Sequence, residues 1–295
     1  MPELPDLSVY LDCIERKALG APLRGLRIGN PFVLRSVSPP PAELAGRRLR
    51  GTARIGKRLA LRFDGGVCAV IHLMILGRLH WKKAGAPLPK GSGLAAFDFD
   101  DGTLMLTESG SKRRAALHLV AGDDALAAFE RGGLEPLDAS AQAFTARLRA
   151  SRHTLKRALT DPAEFAGIGN AYSDEILHRA RLSPFKRAGE LDPGEAQRLY
   201  EATQTVLREW IERLRAEAGD DWPAKVTAFR PEMAVHGRYK LPCPVCAAPV
   251  QRIVYAANEA NYCARCQTGG RLLADRALSR LLHDNWPKTL EELEK

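Results

Sequence analysis

Two Cys-x2-Cys pairs, Cys243-Pro-Val-Cys246 and Cys263-Ala-Arg-Cys266, stand sixteen residues apart near the end of the chain. Each pair can turn two thiolates toward one point, and two such pairs complete the tetrahedral sulfur set of a zinc ion. The spacing predicts a hairpin pinned by one structural Zn2+, with Cys243, Cys246, Cys263 and Cys266 as ligands. Four thiolates leave no open coordination position, so the metal holds shape and function lies elsewhere. The remaining cysteines, Cys13 and Cys68, lie in apolar segments and are expected in the core. The N-terminus MPELPDLSVY lacks the basic and apolar regions of a signal peptide, and no apolar run reaches the roughly 18 residues of a membrane helix. A cytoplasmic protein with reduced thiols is expected.

Charge then narrows the class of partner. Lys and Arg outnumber Asp and Glu by 44 to 35, a formal net charge of +9, which suits a dense polyanion. Nucleic acid leads and an anionic membrane surface comes second. With 295 residues, 45% hydrophobic and 27% charged, the chain can build two globular cores.

Along the chain, Leu7, Leu11, Ile14 and Ala18 recur at helical spacing before Gly20, predicting an early helix. Short apolar segments from about 23 to 120, broken by Asp64-Gly65-Gly66 and Asp101-Gly102, predict an antiparallel sheet domain. Residues 84–93 look like a surface loop and 132–136 like a connection. Helical patterns follow over 139–150, 154–159, 171–181 and about 193–218. Beyond the cysteines, Leu272, Leu273, Ala277, Leu278, Leu281 and Leu282 share one face of a predicted terminal helix, expected to pack on the finger or the helical domain.

Two segments offer chemistry. A small second residue predicts removal of Met1, leaving Pro2 as a free secondary amine. An α-amine titrates near pH 7.7–8.0, so a useful fraction is unprotonated at neutral pH and able to attack carbon. Glu3 stands beside it as a proton carrier. The glycine-rich segment from Ala166 to Glu175 enters a helix and presents its N-terminus to an anion, with Lys156 and Asn170 able to share one phosphate. No third glycine follows at the dinucleotide-binding spacing. Taken alone, the first segment reads more simply as a frayed terminus, and the second equally well as a helix-helix turn.

Taken together, Met1-Pro-Glu-Leu-Pro5, the lysine of Arg54-Ile-Gly-Lys57, the turn Gly167-Ile-Gly-Asn170 and the four-cysteine finger resemble formamidopyrimidine-DNA glycosylases and endonuclease VIII in order and spacing. The resemblance covers Pro2 to about Gln267. It implies an α+β protein with an N-terminal antiparallel β-sandwich over 1–132 and a helix-two-turn-helix DNA-binding domain over 133–240. A four-cysteine finger over 241–268 and an extension over 269–295 with a short helix would follow. DNA would lie in the cleft between the halves of a monomer. The implied activity is a bifunctional DNA glycosylase and abasic-site lyase of base-excision repair, removing damaged, oxidised bases. Pro2 would be the Schiff-base nucleophile, Glu3 the general acid or base, and Lys57, Lys156 and Asn170 phosphate or backbone ligands. His72 belongs to the DNA-contacting stretch of the same pattern.

Several positions depart from the pattern. Asp6 stands where Glu is usual, shortening the side chain expected to reach the extruded base. Ile75 takes the position of the family's gap-filling Met in His72-Leu-Met-Ile-Leu-Gly77, and Lys112-Arg113-Arg114-Ala115 keeps Arg113 but has Ala where Phe is usual. Asn258 stands at the finger arginine position, with Arg252 and Arg265 as substitutes. These losses predict relatively better action on single-stranded or distorted DNA. They also sustain a second reading, a non-catalytic binder of damaged or abasic DNA. A zinc-ribbon RNA-binding protein is the third.

Overall fold

The computed structural model describes residues 1–110, 112–224, 226–255, 258–274 and 287–293, with Tyr255, Asn258 and Leu293 described by backbone alone. The chain divides into two compact units, one formed by 1–131 and 210–227, the other by 132–209 and 228–295.

The first unit starts with helix α1, Leu4–Ala18. Pro5 suits the first turn, where a missing N–H costs nothing, and Glu3 and Asp6 form a reciprocal capping box. Leu7, Tyr10, Ile14 and Ala18 fall on one face at spacings of three and four and are buried in the main core. The helix starts three residues earlier than the apolar periodicity suggested, because the cap supplies the partners that the apolar pattern does not reveal.

Eight strands follow: β1 Leu23–Ile28, β2 Leu49–Ile55, β3 Arg58–Phe63, β4 Val67–His72, β5 Gly77–Lys82, β6 Gly93–Phe99, β7 Thr103–Glu108 and β8 Ala116–Ala121. They form two four-stranded antiparallel sheets, ordered β1-β6-β7-β5 and β2-β3-β4-β8. Strand alternation sorts the side chains. Leu59, Leu61 and Phe63 of β3 meet Ala69 and Ile71 of β4 in the main core, while Ala60, Cys68 and Val70 face the other way with Ile55 and Leu126. Both turn signals hold: Asp64–Gly66 forms a short 3-10 turn between β3 and β4, and Asp101-Gly102 joins β6 to β7. Gly102 is required, since a Cβ there would meet the Trp81 indole at 2.4 Å.

The second unit carries α3 Ala141–Ala150, α4 Leu155–Thr160, α5 Asn170–Ala180 and the start of α6, Pro193–Ala218, after α2 Asp123–Ala127 closes the first. Ser140 caps α3 by accepting the Ala143 N–H at 3.2 Å, and Phe144 packs on Phe165 and Tyr200 with ring centres 4.7 and 5.6 Å apart. The finger is the hairpin β9 Val250–Tyr255 with β10 Asn258–Cys263, followed by α7 Ala264–Thr268. Leu272, Leu273 and Leu290 of the extension pack into the finger core with Val250 and Tyr262. The Leu272 N–H donates to Lys288 at 2.8 Å and the Leu273 N–H to the Tyr262 hydroxyl at 2.8 Å. Most of the terminal helix expected from Leu272 to Leu282 falls on 275–286, outside the described residues; a four-residue helix, Leu290–Leu293, is described further on.

Residues 210–227 return the chain from the helical region to the first unit, a step no local pattern announces. Trp222 lies 5.5 Å from the Tyr10 ring and 6.4 Å from Trp81, and its indole N–H donates to the Leu79 carbonyl at 2.8 Å. Trp222→Ala should therefore cost about 3 kcal/mol of unfolding free energy in urea titration. An unchanged midpoint would show that this return segment does not hold the first unit together.

Candidate functional site

In the first unit the candidate chemistry gathers around the chain start. Pro2, Glu3 and Asp6 are all buried, and Glu3 and Asp6 are only 3% and 2% exposed. The Glu3 N–H donates to Asp6 Oδ2 at 3.0 Å. Asp6, expected to reach toward an extruded base, is thus engaged in capping α1. The terminal amine carried by Met1 stands in for the amine that Pro2 would expose one residue further on. Burial lowers its pKa from 8.0; Glu3 and Asp6 oppose that shift, while Arg78 and Lys57 reinforce it. Those four side chains therefore share the field of the terminal amine. Arg78 was not singled out in the sequence; its guanidinium reaches back to the carbonyls of Ile75 and Gly77 at 3.1 and 2.7 Å.

Lys57 occupies the two-residue turn Gly56-Lys57 between β2 and β3, where Gly56 takes φ +57°. His72 ends β4 and pairs with Arg58 and Ala116. Burial, reinforced by Arg58, Lys57 and His118, pushes its imidazole down to about 4, so His72 is neutral at physiological pH.

The β4–β5 connection bends tightly. Met74 takes φ +52°, Gly77 N–H donates to the Leu73 carbonyl at 2.9 Å, and a Cβ on Gly77 would stand 2.2 Å from that oxygen. The bend leaves Ile75 56% and Leu76 44% exposed. Leu76 is a second exposed apolar side chain beside the expected Ile75. Ala115, by contrast, is 3% exposed, and the N–H groups of Arg114 and Ala115 both donate to buried Glu108 at 2.8 Å. Position 115, just before β8, thus faces the core. Arg113 is exposed and donates to the Gly91 carbonyl, joining its loop to the 84–93 loop.

In the second unit, the Gly167–Asn170 turn opens α5, with Gly167 at φ +81°. Lys156 sits on α4 only 9% exposed, and its ammonium donates to the Asn170 carbonyl and to Asp174 Oδ1, both at 2.6 Å. The expected direct phosphate contact by Lys156 gives way to an inward role: it holds the turn that carries Asn170. Asp174 Oδ2 also meets His236 Nδ1 at 2.8 Å and Asn261 Nδ2 at 3.2 Å. Its neighbour Glu175 accepts the backbone N–H groups of Ala234, Val235 and His236 at 2.7, 2.9 and 2.9 Å. Burial nonetheless raises the Glu175 pKa.

The four finger sulfurs lie within 4.8 Å of one another, a donor set that fits one structural zinc. Neighbouring groups orient the thiolates: His178 Nε2 lies 3.3 Å from Cys243 Sγ, the Cys266 N–H donates to Cys263 Sγ at 3.5 Å, and Gln267 bridges the Cys263 N–H and the Leu182 carbonyl at 2.8 Å each. Asn258 pairs with Tyr255 at the hairpin end; its side chain lies outside the described residues. Of its two proposed substitutes, Arg252 is exposed over the Tyr239 ring at 4.6 Å, while Arg265 reaches the Cys246 carbonyl at 3.4 Å.

Two measurements test these assignments. Metal analysis should find one zinc per chain, lost in Cys243→Ser or Cys266→Ser; retention in both variants would contradict the four-thiolate site. His72 binds its proton more weakly folded, near 4, than unfolded, near 6.5. The unfolded state therefore takes up protons first, and stability falls as pH drops from about 6.5 to about 4. His72→Gln should flatten that part of a thermal-denaturation profile; an identical slope would place the titration elsewhere.

Comparison with known proteins places these features. The formamidopyrimidine-DNA glycosylase N-terminal domain profile matches residues 1–114, the helix-two-turn-helix domain profile of the same glycosylase 133–218, and a zinc finger found in these enzymes and isoleucyl-tRNA synthetase 240–269. A formamidopyrimidine-DNA glycosylase of Acidovorax sp. is 35% identical and one of Desulforamulus reducens 32% identical, each match covering 90% of this chain and 99% of the relative. A solved MutM bound to DNA containing carbocyclic 8-oxo-G superposes with a TM-score of 0.80 at 25% identity, covering 90% of this chain and all of that one. Among the described residues, no helix is long and apolar enough to cross a membrane. With relatives matched over nearly their full length, and the buried chain start, the glycine turn and the four-cysteine finger in their places, the chain belongs to the formamidopyrimidine-DNA glycosylase family.

Proposed function

We propose that this DNA glycosylase is bifunctional: after loss of Met1, the Pro2 amine attacks the sugar C1′ of a damaged, oxidised nucleotide and the strand is then cut by elimination. One observation carries the reading. Pro2 is buried, and the Met1 amine one residue before it lies in a field shaped by Glu3, Arg78, Asp6 and Lys57, the same side chains that would surround the amine of Pro2. A lowered amine pKa increases the unprotonated fraction at neutral pH, the form that can attack. Attack forms the N–C1′ bond as the bond to the base breaks and the base leaves with a proton; opening of the C1′–O4′ bond, with O4′ taking a proton, then leaves an iminium on C1′. That electron sink acidifies the neighbouring C2′ proton, and its removal expels the 3′ phosphate, with further elimination expelling the 5′ phosphate. Glu3 carries protons in these steps. Lys57, Arg78 and Arg113 stabilise phosphate charge, and Asn170 adds a contact through the turn that Lys156 positions. Solved relatives bound to abasic-site DNA and to an 8-oxo-G analogue support the substrate class.

With Ala115 in place of the family's Phe, the gap-filling role falls to the exposed pair Ile75 and Leu76. Together they fill the gap left by the extruded nucleotide with aliphatic surface, which stacks on bases less well than an aromatic ring worth roughly 1–3 kcal/mol. Single-stranded, mismatched or distorted DNA is thereby relatively favoured.

With an abasic-site oligonucleotide and borohydride, the native protein should form a reduced covalent adduct, absent in Pro2→Gly and in protein retaining Met1. An undiminished adduct in both would assign the attack to another amine such as Lys57. Ile75→Ala combined with Leu76→Ala should slow single-turnover base release from matched duplex about tenfold, with little change on single-stranded DNA. Equal losses on both substrates would contradict the gap-filling role. DNA affinity should also fall steeply with salt, as counterion release requires.

A further inference from the structure

Away from the finger, His153, Asp161 and Glu164 each offer one ligand atom, and these atoms lie within 4.8 Å of one another. His153 belongs to the connection between α3 and α4, whereas Asp161 and Glu164 belong to the connection between α4 and α5. The three therefore bracket α4 from both ends.

Both carboxylates are held by one oxygen. Asp161 Oδ1 accepts the Ala163 N–H at 2.9 Å, and Glu164 Oε1 accepts the Ser151 hydroxyl at 2.7 Å. The same Ser151 oxygen accepts the His153 N–H at 3.2 Å, and the His153 carbonyl accepts the Ala188 N–H at 3.0 Å, so the histidine backbone is held too. Asp161 Oδ2 then lies 3.9 Å from His153 Nε2, too far for a hydrogen bond. Ligands on a tetrahedral zinc stand about 3.3 Å apart, so small side-chain rotations close the gap. Glu164 Oε2 is screened from solvent and has no hydrogen-bond partner among the described residues. A carboxylate oxygen that is dry and unpaired is costly unless a cation or proton reaches it. Two acidic side chains beside an imidazole suit a divalent first-row cation. The His153 and Asp161 side chains, 34% and 31% exposed, leave room for water to complete the coordination.

We propose that His153, Asp161 and Glu164 form a second divalent-cation site, of nitrogen and oxygen ligands, that ties the two connections flanking α4. It does not rest on the glycosylase reading. Its structural consequence falls on Lys156, because the clamped helix carries the lysine that holds the Asn170 turn.

Cobalt(II) titrated into the zinc-loaded full chain tests this. The expected result is one further ion per chain, with weak visible bands of nitrogen and oxygen ligands and no thiolate-to-metal charge-transfer band. Melting should rise by about 5 °C at a hundredfold excess over Kd. His153→Gln and Glu164→Gln, each retaining the finger zinc as proof of folding, should lose the added ion and the shift. Cobalt uptake seen only as a thiolate spectrum, or binding and melting unchanged in both variants, would overturn the site.

Discussion

The capping of α1 by Glu3 and Asp6 fixes where this chain begins. A terminus usually frays because nothing satisfies its backbone and no apolar face holds it. Here Leu4, Leu7 and Tyr10 bury the first turns while the two carboxylates satisfy the helix start, and Pro2 is itself buried. Burial also lowers the pKa of the Met1 amine, and the two capping carboxylates oppose that shift. Lys57, from the β2–β3 turn, and Arg78, from strand β5 of the other sheet, both act on that amine.

In the second unit, adjacent carboxylates on α5 do the corresponding organising. Asp174 gathers Lys156, His236 and Asn261, and Glu175 gathers three successive backbone N–H groups before the finger. Removing either carboxylate would strand several buried donors, a larger loss than any single bond would suggest. Through them the glycine turn, the approach to the finger and strand β10 are referred to one helix. The zinc fixes the hairpin internally, and His178 and Gln267 connect its ligands to α5 and the residues just after it.

Much of this was legible in local pattern. The cysteine spacing, the glycine turn, the two hairpin signals and the helical periodicities before the finger each report on residues close in sequence, and their elements appear as expected. What escaped depends on direction or distance. A lysine eleven residues before a glycine loop reads as a phosphate ligand, yet Lys156 turns inward because Asp174 lies buried beside it. Asp6 reads as a base contact, and the cap adds a role for its Oδ2 that the sequence reading did not give. Ala115 reads as a lost wedge, whereas Leu76 is exposed by a bend that depends on Met74 at positive φ. Trp222 joins the first unit across more than a hundred residues, a contact that no periodicity encodes.

Peptide mapping of the borohydride-reduced DNA adduct tests most directly whether the chain's own terminal amine performs the chemistry. Mass spectrometry should find the sugar remnant on the N-terminal peptide, on the nitrogen of Pro2, with Met1 absent. A remnant on the peptide carrying Lys57, or on any other lysine, would contradict it.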